Sequence, residues 1–371
     1  MRLGLVSAAF PPVPDGIGDN TDCLSRELAQ DHEVAVFTAA SCGRRKRGEV
    51  DVIPCFDGNR PSSIRALLEA VAKWQPDWLF VQYNPFAFGP RGFNPWLPLV
   101  LGLLRRKTRL AVMFHETYID KARFRDSVMR LWQVPQARAI GRLAEIVFVS
   151  CDAFRHEVGF SRPDRITRLP AGSSLPLSPL TTQAARTRLG FTGDKFVLGT
   201  FGTAHRSRRF DWMNEVLLKL LSQGKDALFL YVGSEPERVR PHFPEPLFHA
   251  TGPLPASEAG DALRCIDVFL SPFSDGISAR RSSAVAALQH RLPVITTRGC
   301  RTDAVFEAPG SEPVYLSNAA SAREFAGEVA GLLQSPERLR GIAARGHDLF
   351  LRVFDWPRIA EALIAALPGC L

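Results

Sequence analysis

Residues 195–223, KFVLGTFGTAHRSRRFDWMNEVLLKLLSQ, join an apolar run to a helix-length segment through a short basic turn. The run at 195–202 is almost wholly apolar, which is typical of a strand buried on both faces of a parallel sheet. A helix is predicted for 211–223, so the stretch has the order of a βα unit. Gly202 closes the strand, and the turn carries His205, Arg206, Arg208 and Arg209.

The same alternation of short apolar runs and helix-length segments continues along the chain, which predicts parallel sheets built from βαβ units. Residues 165–185 are rich in Pro, Ser and Thr and are interpreted as an interdomain connection. The predicted fold class is therefore α/β, with two doubly wound, Rossmann-like halves. The other predicted strands are 3–8, 33–39, 51–56, 78–83, 110–115, 145–150, 227–233, 247–252, 267–273, 293–297 and 313–317. The other predicted helices are 17–29, 61–73, 121–142, 257–264, 280–290 and 320–333.

The length and composition of the chain support this organisation. A chain of 371 residues is too long for one ordinary core, and 46% hydrophobic with 23% charged residues is typical of a soluble globular protein. Lys and Arg exceed Asp and Glu by eight. This excess favours anionic partners, such as nucleotide phosphates or anionic lipid, although ordinary solvated arginines are an alternative. Nucleic acid is disfavoured because the basic residues are not interleaved with aromatic residues along one element.

The cysteines and the apolar segments bear on location. Seven cysteines without a CxxC pair or a zinc-like spacing indicate a reduced, cytoplasmic compartment. No stretch approaches the roughly 20 apolar residues of a membrane span. The apolar segment 95–104 ends at the basic cluster 105–109, and a second basic cluster occupies 43–48. This pattern predicts either a peripheral contact with an anionic membrane at its inner face or a half-buried domain helix.

The turn after the first strand of each half has features of an anion site. Gly16 and Gly18 lead into a helix, where backbone N–H groups and the helix dipole attract anions, although purely structural turns use glycine as often. In the second half, arginines of the 203–209 turn would grip a diphosphate bidentately, and a solvated basic loop is the alternative. Ligands of doubly wound folds bind outside the carboxyl ends of the strands. The sequence therefore predicts a ligand site in the cleft between the halves.

Seven segments in this order resemble the family 4 glycosyltransferases of the GT-B fold, retaining enzymes that use nucleotide sugars. The resemblance implies two Rossmann-like domains facing a central cleft: 1–175 on the acceptor side, 176–355 on the donor side, and a helix at 356–371 that packs back on the first domain. The segments are FPPVPDGIGD (10–19), VMFHET (112–117), RLPAGSS (168–174), GTFGTAHRSRR (199–209), TGPLPASEAGDAL (251–263), RCIDVFLSPFSDG (264–276) with RLPVITT (291–297), and LRVFDWPRIAEALIAAL (351–367).

The resemblance also implies roles for single residues. Arg208 matches the phosphate-binding lysine of the family, whereas Thr203 stands where the family has arginine. His115 matches the position beside the transferred sugar, with a purely structural histidine as the alternative. Glu116 and Tyr118 are expected on the acceptor side. Ala171 replaces asparagine in the turn between the domains, which puts the function of that turn in doubt.

The donor signature departs most from the family pattern, which is Glu, seven residues, then a second Glu. The first Glu matches Asp275, which is predicted to be catalytic together with His115. The second Glu matches Ala286 when counted back from the Leu-Pro-Val strand, and Ser283 when counted forward, so the loop is interpreted as longer by about three residues. Serines and arginines at the helix start are predicted to hold ribose and diphosphate, with simple helix capping as the alternative. The predicted donor-binding residues are Gly16, Gly18, Gly202, Thr203, His205, Arg206, Arg208, Gly276, Ser278, Arg281, Ser282 and Ser283, with Arg280 as a substitute for Arg281.

The resemblance thus implies a metal-independent, retaining, hexosyltransferase-like enzyme without a cofactor. It would move a sugar from a nucleotide-diphosphate sugar to a saccharide, lipid-linked or small-molecule acceptor. Because electrostatics and positioning carry most of the rate in such a reaction, loss of the second Glu need not abolish turnover. Two alternatives stay open. One is a non-catalytic GT-B subunit that binds nucleotide or a partner transferase, supported by Ala286 and Thr203. The other is a sugar-nucleotide epimerase, for which only His115 and Glu116 offer proton-transfer groups.

Overall fold

The computed structural model describes residues 1–58, 60–121, 123–158, 163–191 and 193–368. The chain forms two compact units, Met1–Pro170 with Trp356–Leu371, and Ala171–Asp355. Each unit is a sheet covered by helices, and the predicted α/β fold class is confirmed.

The first unit contains an eight-stranded sheet with the order β3-β4-β2-β1-β5-β6-β7-β8. All pairings are parallel except the short hairpin between β3 and β4. The strands are β1 Arg2–Val6, β2 Glu33–Ala39, β3 Arg45–Arg47, β4 Val50–Phe56, β5 Trp78–Tyr83, β6 Arg109–Phe114, β7 Ile146–Val149 and β8 Ile166–Arg168. The helices are α1 Gly16–Leu28, α2 Ala66–Trp74, α3 Trp96–Leu104, α4 Phe124–Leu143 and α5 Asp152–Glu157. Short 3₁₀ turns span Ala40–Cys42, Pro61–Arg65, Pro85–Ala87, Pro90–Gly92 and Pro163–Arg165.

The second unit contains a six-stranded, fully parallel sheet with the order β11-β10-β9-β12-β13-β14. The strands are β9 Phe196–Phe201, β10 Ala227–Val232, β11 Phe248–Ala250, β12 Val268–Ser271, β13 Val294–Thr297 and β14 Tyr315–Ser317. The helices are α6 Thr182–Arg188, α7 Phe210–Ser222, α8 Pro236–Val239, α9 Ala256–Leu263, α10 Ser282–Gln289, α11 Ala322–Leu332 and α12 Pro336–Leu349. A π-helical turn spans Phe350–Phe354, and 3₁₀ turns span Arg240–His242 and Ala304–Phe306.

Alternate side chains of the strands are buried on opposite faces of each sheet, which explains why the strand sequences are almost wholly apolar. In β10, Leu228 and Leu230 join one apolar cluster, whereas Phe229 and Tyr231 join the cluster on the other face. The strands of the first unit behave in the same way: Val36 and Phe37 of β2 belong to different clusters.

The strand order of the second unit reverses between β9 and β12. The chain proceeds from β9 outward to β11, and then from β12 outward to β14. Such a switch point leaves a crevice at the carboxyl ends of its two strands, where doubly wound folds bind ligands. The loop after β9 and the loop after β12 both leave the sheet at this point.

The last helix, α13 (Trp356–Ala366), belongs to the first unit although it follows the second in sequence. Its buried residues Ile359 and Leu363 lie in the same apolar cluster as Leu24 of α1 and Trp78 of β5. None of the helices in the described ranges is both long enough and apolar enough to cross a membrane.

Candidate active site

Arg208 is the centre of a polar cluster at the switch point of the second unit. Its Nη1 donates to Oγ1 of Thr200 at 2.7 Å, and its Nη2 donates to the carbonyl oxygen of Phe201 at 2.6 Å and to Oγ of Ser283 at 2.8 Å. The side chain thus joins the end of β9 to the first turn of α10. Arg208 is only 9% exposed, so its guanidinium is held in one orientation.

The charge of Arg208 has no anionic partner in the described part of the chain, because the acceptors that surround it are hydroxyl and carbonyl oxygens. Burial, and then the positive charge of Arg281, lower the pKa of Arg208 to about 10. The guanidinium is therefore still cationic at neutral pH. A buried charge is costly unless it is paired. A buried cation among neutral acceptors is therefore able to pair with an incoming anion.

Local backbone geometry creates the space for this guanidinium. Gly202 has φ +116°, which favours glycine, and a Cβ there would lie 2.9 Å from Nη2 of Arg208 and 3.4 Å from Cβ of Ser283. The loops after β9 and β12 are joined by a bridge between Arg208 and Phe273 and by a hydrogen bond from the Ser274 amide to the Ser207 carbonyl, 2.8 Å. The loop after β9 and the loop after β12 are therefore held together by backbone contacts.

Asp275 lies on the second of these loops and is clamped by two arginines. Nη2 of Arg281 is 2.8 and 3.0 Å from the two carboxylate oxygens, and Nη2 of Arg280 is 3.2 Å from one of them. The side chains of the three residues are 11–20% exposed. The Arg281 guanidinium also lies over the Phe273 ring, 4.1 Å from its centroid. Burial, followed by the charge of Arg280, lowers the pKa of Arg281 to about 10.

Asp303 holds the loop that carries Asp275 through two hydrogen bonds. Oδ2 of Asp303 accepts from the Ala279 amide at 2.6 Å, and the Asp303 amide donates to the Ile277 carbonyl at 3.1 Å. Gly276 has φ +88°, and a Cβ there would lie 2.6 Å from the Gly299 amide nitrogen. Ser278 is 1% exposed, and its Oγ has no hydrogen-bond partner among the described residues.

His205 is connected to this clamp through Ser207. The Ser207 amide donates to Nδ1 of His205 at 3.2 Å, so Nδ1 is an acceptor and the neutral ring carries its proton on Nε2. Oγ of Ser207 lies 2.8 Å from the same nitrogen and accepts from Arg281 at 3.0 Å. His205 is exposed by its accessible area, and partial desolvation, followed by the charges of Arg281 and Arg280, lowers its pKa to about 4. The ring is neutral at pH 7 and adds no charge to the cluster.

Of the predicted site residues in this unit, the structure brings the donor residues Arg208, Ser283, Gly202 and Arg281 and the catalytic candidate Asp275 into one connected cluster, with His205 attached. The others are on the same loops but have different surroundings. Thr203, Arg206 and Ser282 are exposed at the surface. Ala286 lies one turn beyond Ser283 in α10 and is packed in the apolar core.

Four residues of the cluster were not predicted: Thr200, Ser207, Phe273 and Asp303. Ser207 lies inside the basic turn, and its position between His205 and Arg208 was the signal that could have identified it. Thr200 and Phe273 end apolar runs and are indistinguishable there from core residues. Asp303 is separated by 24 residues from the amide that it binds, and no local pattern reveals that pairing.

In the first unit, His115 directly follows β6. Its Nε2 lies 2.6 Å from Oε1 of Gln82, a side chain that is 1% exposed on the neighbouring strand β5. With the amide oxygen of Gln82 facing the ring, Nε2 carries the proton and Nδ1 is left as an acceptor. Burial lowers the pKa of His115 to about 4. The ring is therefore a neutral hydrogen-bonding group at pH 7 and not a cation.

Glu116 and Tyr118, which were expected on the acceptor side with His115, each contact different residues. Oε2 of Glu116 lies 3.4 Å from Nδ2 of Asn84. The ring of Tyr118 lies under the guanidinium of Arg130, 4.2 Å from the ring centroid, and packs against the apolar core. Both side chains are partly buried. Among the described residues, no three His, Cys, Asp or Glu side chains cluster in a way that would hold a metal ion.

The prediction that amides near Gly16 and Gly18 bind an anion needs correction. Oδ1 of Asp15 accepts from the amides of Ile17 and Gly18 at 2.9 and 2.7 Å and so caps α1. A carboxylate already lies at this helix N-terminus, and it would repel a phosphate. A Cβ at Gly18 would lie 3.0 Å from the Ala9 carbonyl group, so close packing explains that glycine. A Cβ at Gly16 would have no neighbour within 4 Å, so close packing does not require glycine there.

Comparison with known proteins adds a family match and a fold match. Residues 15–172 match the model of the glycosyl transferase 4-like domain, and the full sequence matches no curated protein. A sucrose-phosphate synthase from Thermosynechococcus elongatus superposes with a TM-score of 0.73 at 17% identity, covering 98% of this chain and 97% of that one.

Two further solved structures have the same architecture over their whole length. Anabaena HepE, solved in complex with UDP and glucose, superposes with a TM-score of 0.70 at 13% identity, with 98% of both chains covered. WaaG, a glycosyltransferase involved in lipopolysaccharide biosynthesis, superposes with a TM-score of 0.66 at 14% identity, covering 99% of this chain and 100% of that one. These superpositions show that the chain has the GT-B fold.

Proposed function

We propose that the protein is a glycosyltransferase that moves a sugar from a nucleotide-diphosphate sugar to an acceptor hydroxyl with retention. The observation that carries the proposal is Arg208, a buried guanidinium whose described partners are neutral, at the switch point of the second sheet. The family match over residues 15–172 and the glycosyltransferases among the structural neighbours support the reaction class. That HepE was solved with UDP and glucose supports a nucleotide sugar as the donor.

The diphosphate would bind to Arg208 and to the first turn of α10. This helix has no acidic residue in its first turn and no side-chain cap, so its dipole is available to an anion. Arg281 is close enough to add a second charge, because both it and Arg208 lie over the ring of Phe273. Ser283 orients Arg208, while the exposed Ser282 is the group that would contact the ribose.

The binding of phosphate has to compete with Asp275 for Arg281. In the structure the carboxylate occupies one nitrogen, Nη2, of that guanidinium. A diphosphate carries more charge than a carboxylate and offers more acceptor oxygens, so it is the stronger partner. We expect Asp275 to be released toward Arg280 and the sugar when the donor binds.

The reaction itself requires little from side chains. The bond between the anomeric carbon and the phosphate oxygen breaks while the acceptor oxygen bonds to the same face of the sugar. The proton of the acceptor hydroxyl passes to the departing phosphate oxygen, and the nucleoside diphosphate leaves with it. Arg208 and Arg281 stabilise the charge that develops on that oxygen. They perform the role that a divalent cation has in other transferases, so we propose a metal-independent reaction without a cofactor.

His115 is assigned a positioning role in the first unit. Its Nδ1 is free of a proton and its pKa is lowered to about 4, so it accepts a hydrogen bond from a substrate hydroxyl without becoming charged. Glu116 and Tyr118, on the same loop, are assigned to the acceptor side. We also propose that the transferred sugar is a hexose. The proposed location of the protein is the cytoplasm.

The alternative of a non-catalytic subunit has one observation in its favour, the double clamp on Asp275, which leaves the carboxylate engaged. A panel of UDP-, GDP- and ADP-sugars separates the two. Slow release of nucleoside diphosphate from one donor, faster with an acceptor, supports the transferase. Tight binding of a donor with no release supports the non-catalytic subunit, and interconversion of the sugar without release supports an epimerase.

A further inference from the structure

The first part of helix α4 exposes three large apolar side chains and buries polar ones. Phe124, Val128 and Leu131 are 86%, 38% and 73% exposed. Their spacing of four and three residues places them on one face of the helix. On the opposite face, Gln133 is 0% and Gln136 7% exposed. This order is the reverse of that in an ordinary surface helix.

The buried polar groups fix this orientation of α4. Gln133 accepts from the Ile119 amide at 2.9 Å and donates to the Arg91 carbonyl at 3.0 Å. Gln136 accepts from the Asn94 amide at 2.9 Å and donates to the Tyr83 hydroxyl at 3.1 Å. Rotation of the helix to bury its apolar face would leave these groups unpaired, which is costly. The exposure of the apolar face is therefore a property of the fold.

Other exposed apolar side chains lie on elements near α4. The described part of the chain has ten large hydrophobic side chains that are exposed, and seven of them lie in residues 85–142. These seven residues are on α4, on α3 and in the turns before α3, and these elements pack on one another. We call this region the docking surface. Its apolar members are Phe86, Phe93, Leu99, Leu103, Phe124, Val128 and Leu131.

The segment 85–142, which contains the docking surface, also holds the positive excess of the sequence. Residues 85–142 contain eleven Lys and Arg and three Asp and Glu, an excess of eight, and the whole chain has the same excess of eight. The remainder of the chain is therefore neutral. One of the three acidic residues, Asp126, is 3% exposed and binds the Arg123 amide at 2.9 Å. The exposed basic residues are Arg91, Arg105, Arg106, Lys107, Lys121, Arg123, Arg125, Arg138 and Arg142.

We propose that the docking surface binds the headgroups and outer acyl chains of an anionic lipid bilayer. Exposed Phe and Leu among dispersed cations are the chemistry of an interfacial helix, whose apolar face enters the bilayer while the basic side chains contact headgroups. A complementary protein interface is instead depleted of charge at its apolar centre, whereas Arg123 and Arg125 directly flank Phe124. If the proposed transferase function holds, the acceptor is a lipid-linked molecule.

Vesicle co-sedimentation of the full chain tests the proposal. Vesicles with about 30 mol% phosphatidylglycerol in phosphatidylcholine, at about 0.1 M salt, should retain the protein, whereas pure phosphatidylcholine should not. The double variant F124S/L131S should bind at least about tenfold more weakly, because it removes the most exposed apolar groups. The matched control is L218S/L351S, which changes two exposed leucines of the second unit and should bind as the unaltered protein does.

A second variant, R123Q/R125Q/R138Q, should lose binding to anionic vesicles while keeping the apolar groups. Equal binding of either variant and the unaltered protein overturns the proposal, as does an absence of binding by the unaltered protein. If F124S/L131S instead changes the mass of the protein by light scattering, the surface is an interface between proteins and the proposal is wrong. Calorimetry of UDP binding without vesicles tests the transferase function separately, and F124S/L131S should leave it unchanged.

Discussion

Arg281 holds both carboxylate oxygens of Asp275 through one nitrogen, at 2.8 and 3.0 Å. Arg208, one loop away, has no carboxylate partner in the described ranges and shares the Phe273 ring with Arg281. Two neighbouring guanidinium groups therefore differ in one respect: the charge of one is paired and the charge of the other is not. An anion bound to Arg208 would meet no competing carboxylate, whereas an anion bound to Arg281 would have to replace Asp275.

This competition predicts that Asp275→Asn tightens the binding of nucleoside diphosphate. Removing the carboxylate charge frees Arg281, and a partly exposed ion pair is worth up to about 1 kcal/mol, so a two- to fivefold gain is expected at about 0.1 M salt. Calorimetry with UDP, GDP and ADP measures it. The control is Asp226→Asn, which breaks an exposed pair with Lys195 and should change nothing. Weaker binding to the Asp275 variant would show that the carboxylate positions Arg281 for the ligand.

Arg208→Met should weaken the binding of the same nucleotides by about 10- to 150-fold, since a hydrogen bond to a charged group contributes about 1.5–3 kcal/mol. Arg208→Lys should recover part of the loss, because lysine keeps the charge but not the bidentate geometry. The exposed Arg238, which pairs with Glu235, supplies the matched control, Arg238→Met. Unchanged affinity in Arg208→Met would remove Arg208 from the donor site and with it the main support for the proposed function.

Gly202→Ala tests whether the turn after β9 sets the position of the Arg208 guanidinium. The φ of +116° strains alanine, and the new Cβ would lie 2.9 Å from Nη2 of Arg208. Gly224→Ala is the matched control, since its φ of +77° imposes a similar strain where no atom lies within 4 Å. Both variants should lower the melting temperature, but only Gly202→Ala should weaken nucleotide binding. Equal affinity in the two variants would mean that the guanidinium tolerates displacement.

Much of the fold was predictable because strands buried on both faces leave an unambiguous apolar run. The strand predicted at 78–83 agrees with β5 at both ends, and the helix predicted at 211–223 differs from α7 by one residue at each end. The strand β3 was missed, because its sequence Arg-Lys-Arg has no apolar side chain and its pairing with β4 comes from the backbone. Patterns of hydrophobicity reveal burial, and this edge strand is not buried.

The site was predictable only where its residues lie in one local segment. The basic turn identified Arg208 before its surroundings were known, because a strand end with several cations is unusual. The fixing of the 277–279 loop by Asp303 depends on a distant contact, and so does the link from Arg208 to Ser283. The sequence around Gly16 and Gly18 does not distinguish an anion site from a capped helix, because a glycine turn is compatible with both. In the structure Asp15 caps the helix.

His115 gives a prediction with a defined pH window. Burial lowers its pKa from 6.5 to about 4 in the folded protein, whereas the unfolded chain keeps the ordinary value. Between these two values the unfolded state binds a proton that the folded state does not, so stability rises with pH across the window and levels off above about 6.5. The expected gain from this one group is at most about 1.4 kcal/mol per pH unit. The pKa of His205 is also lowered to about 4, so that residue adds to the same slope.

The contribution of His115 is therefore isolated by difference. His115→Gln keeps a hydrogen-bonding side chain but cannot titrate, so its melting temperature should fall less than that of the unaltered protein as the pH is lowered from about 6.5 to 4.5. NMR titration of the imidazole signal that disappears in the variant should give a midpoint near pH 4. A midpoint at the ordinary value of 6.5, or parallel melting curves, would show that the ring is solvated. It would then be charged over part of the physiological range, and the role of a neutral acceptor for a substrate hydroxyl would be wrong.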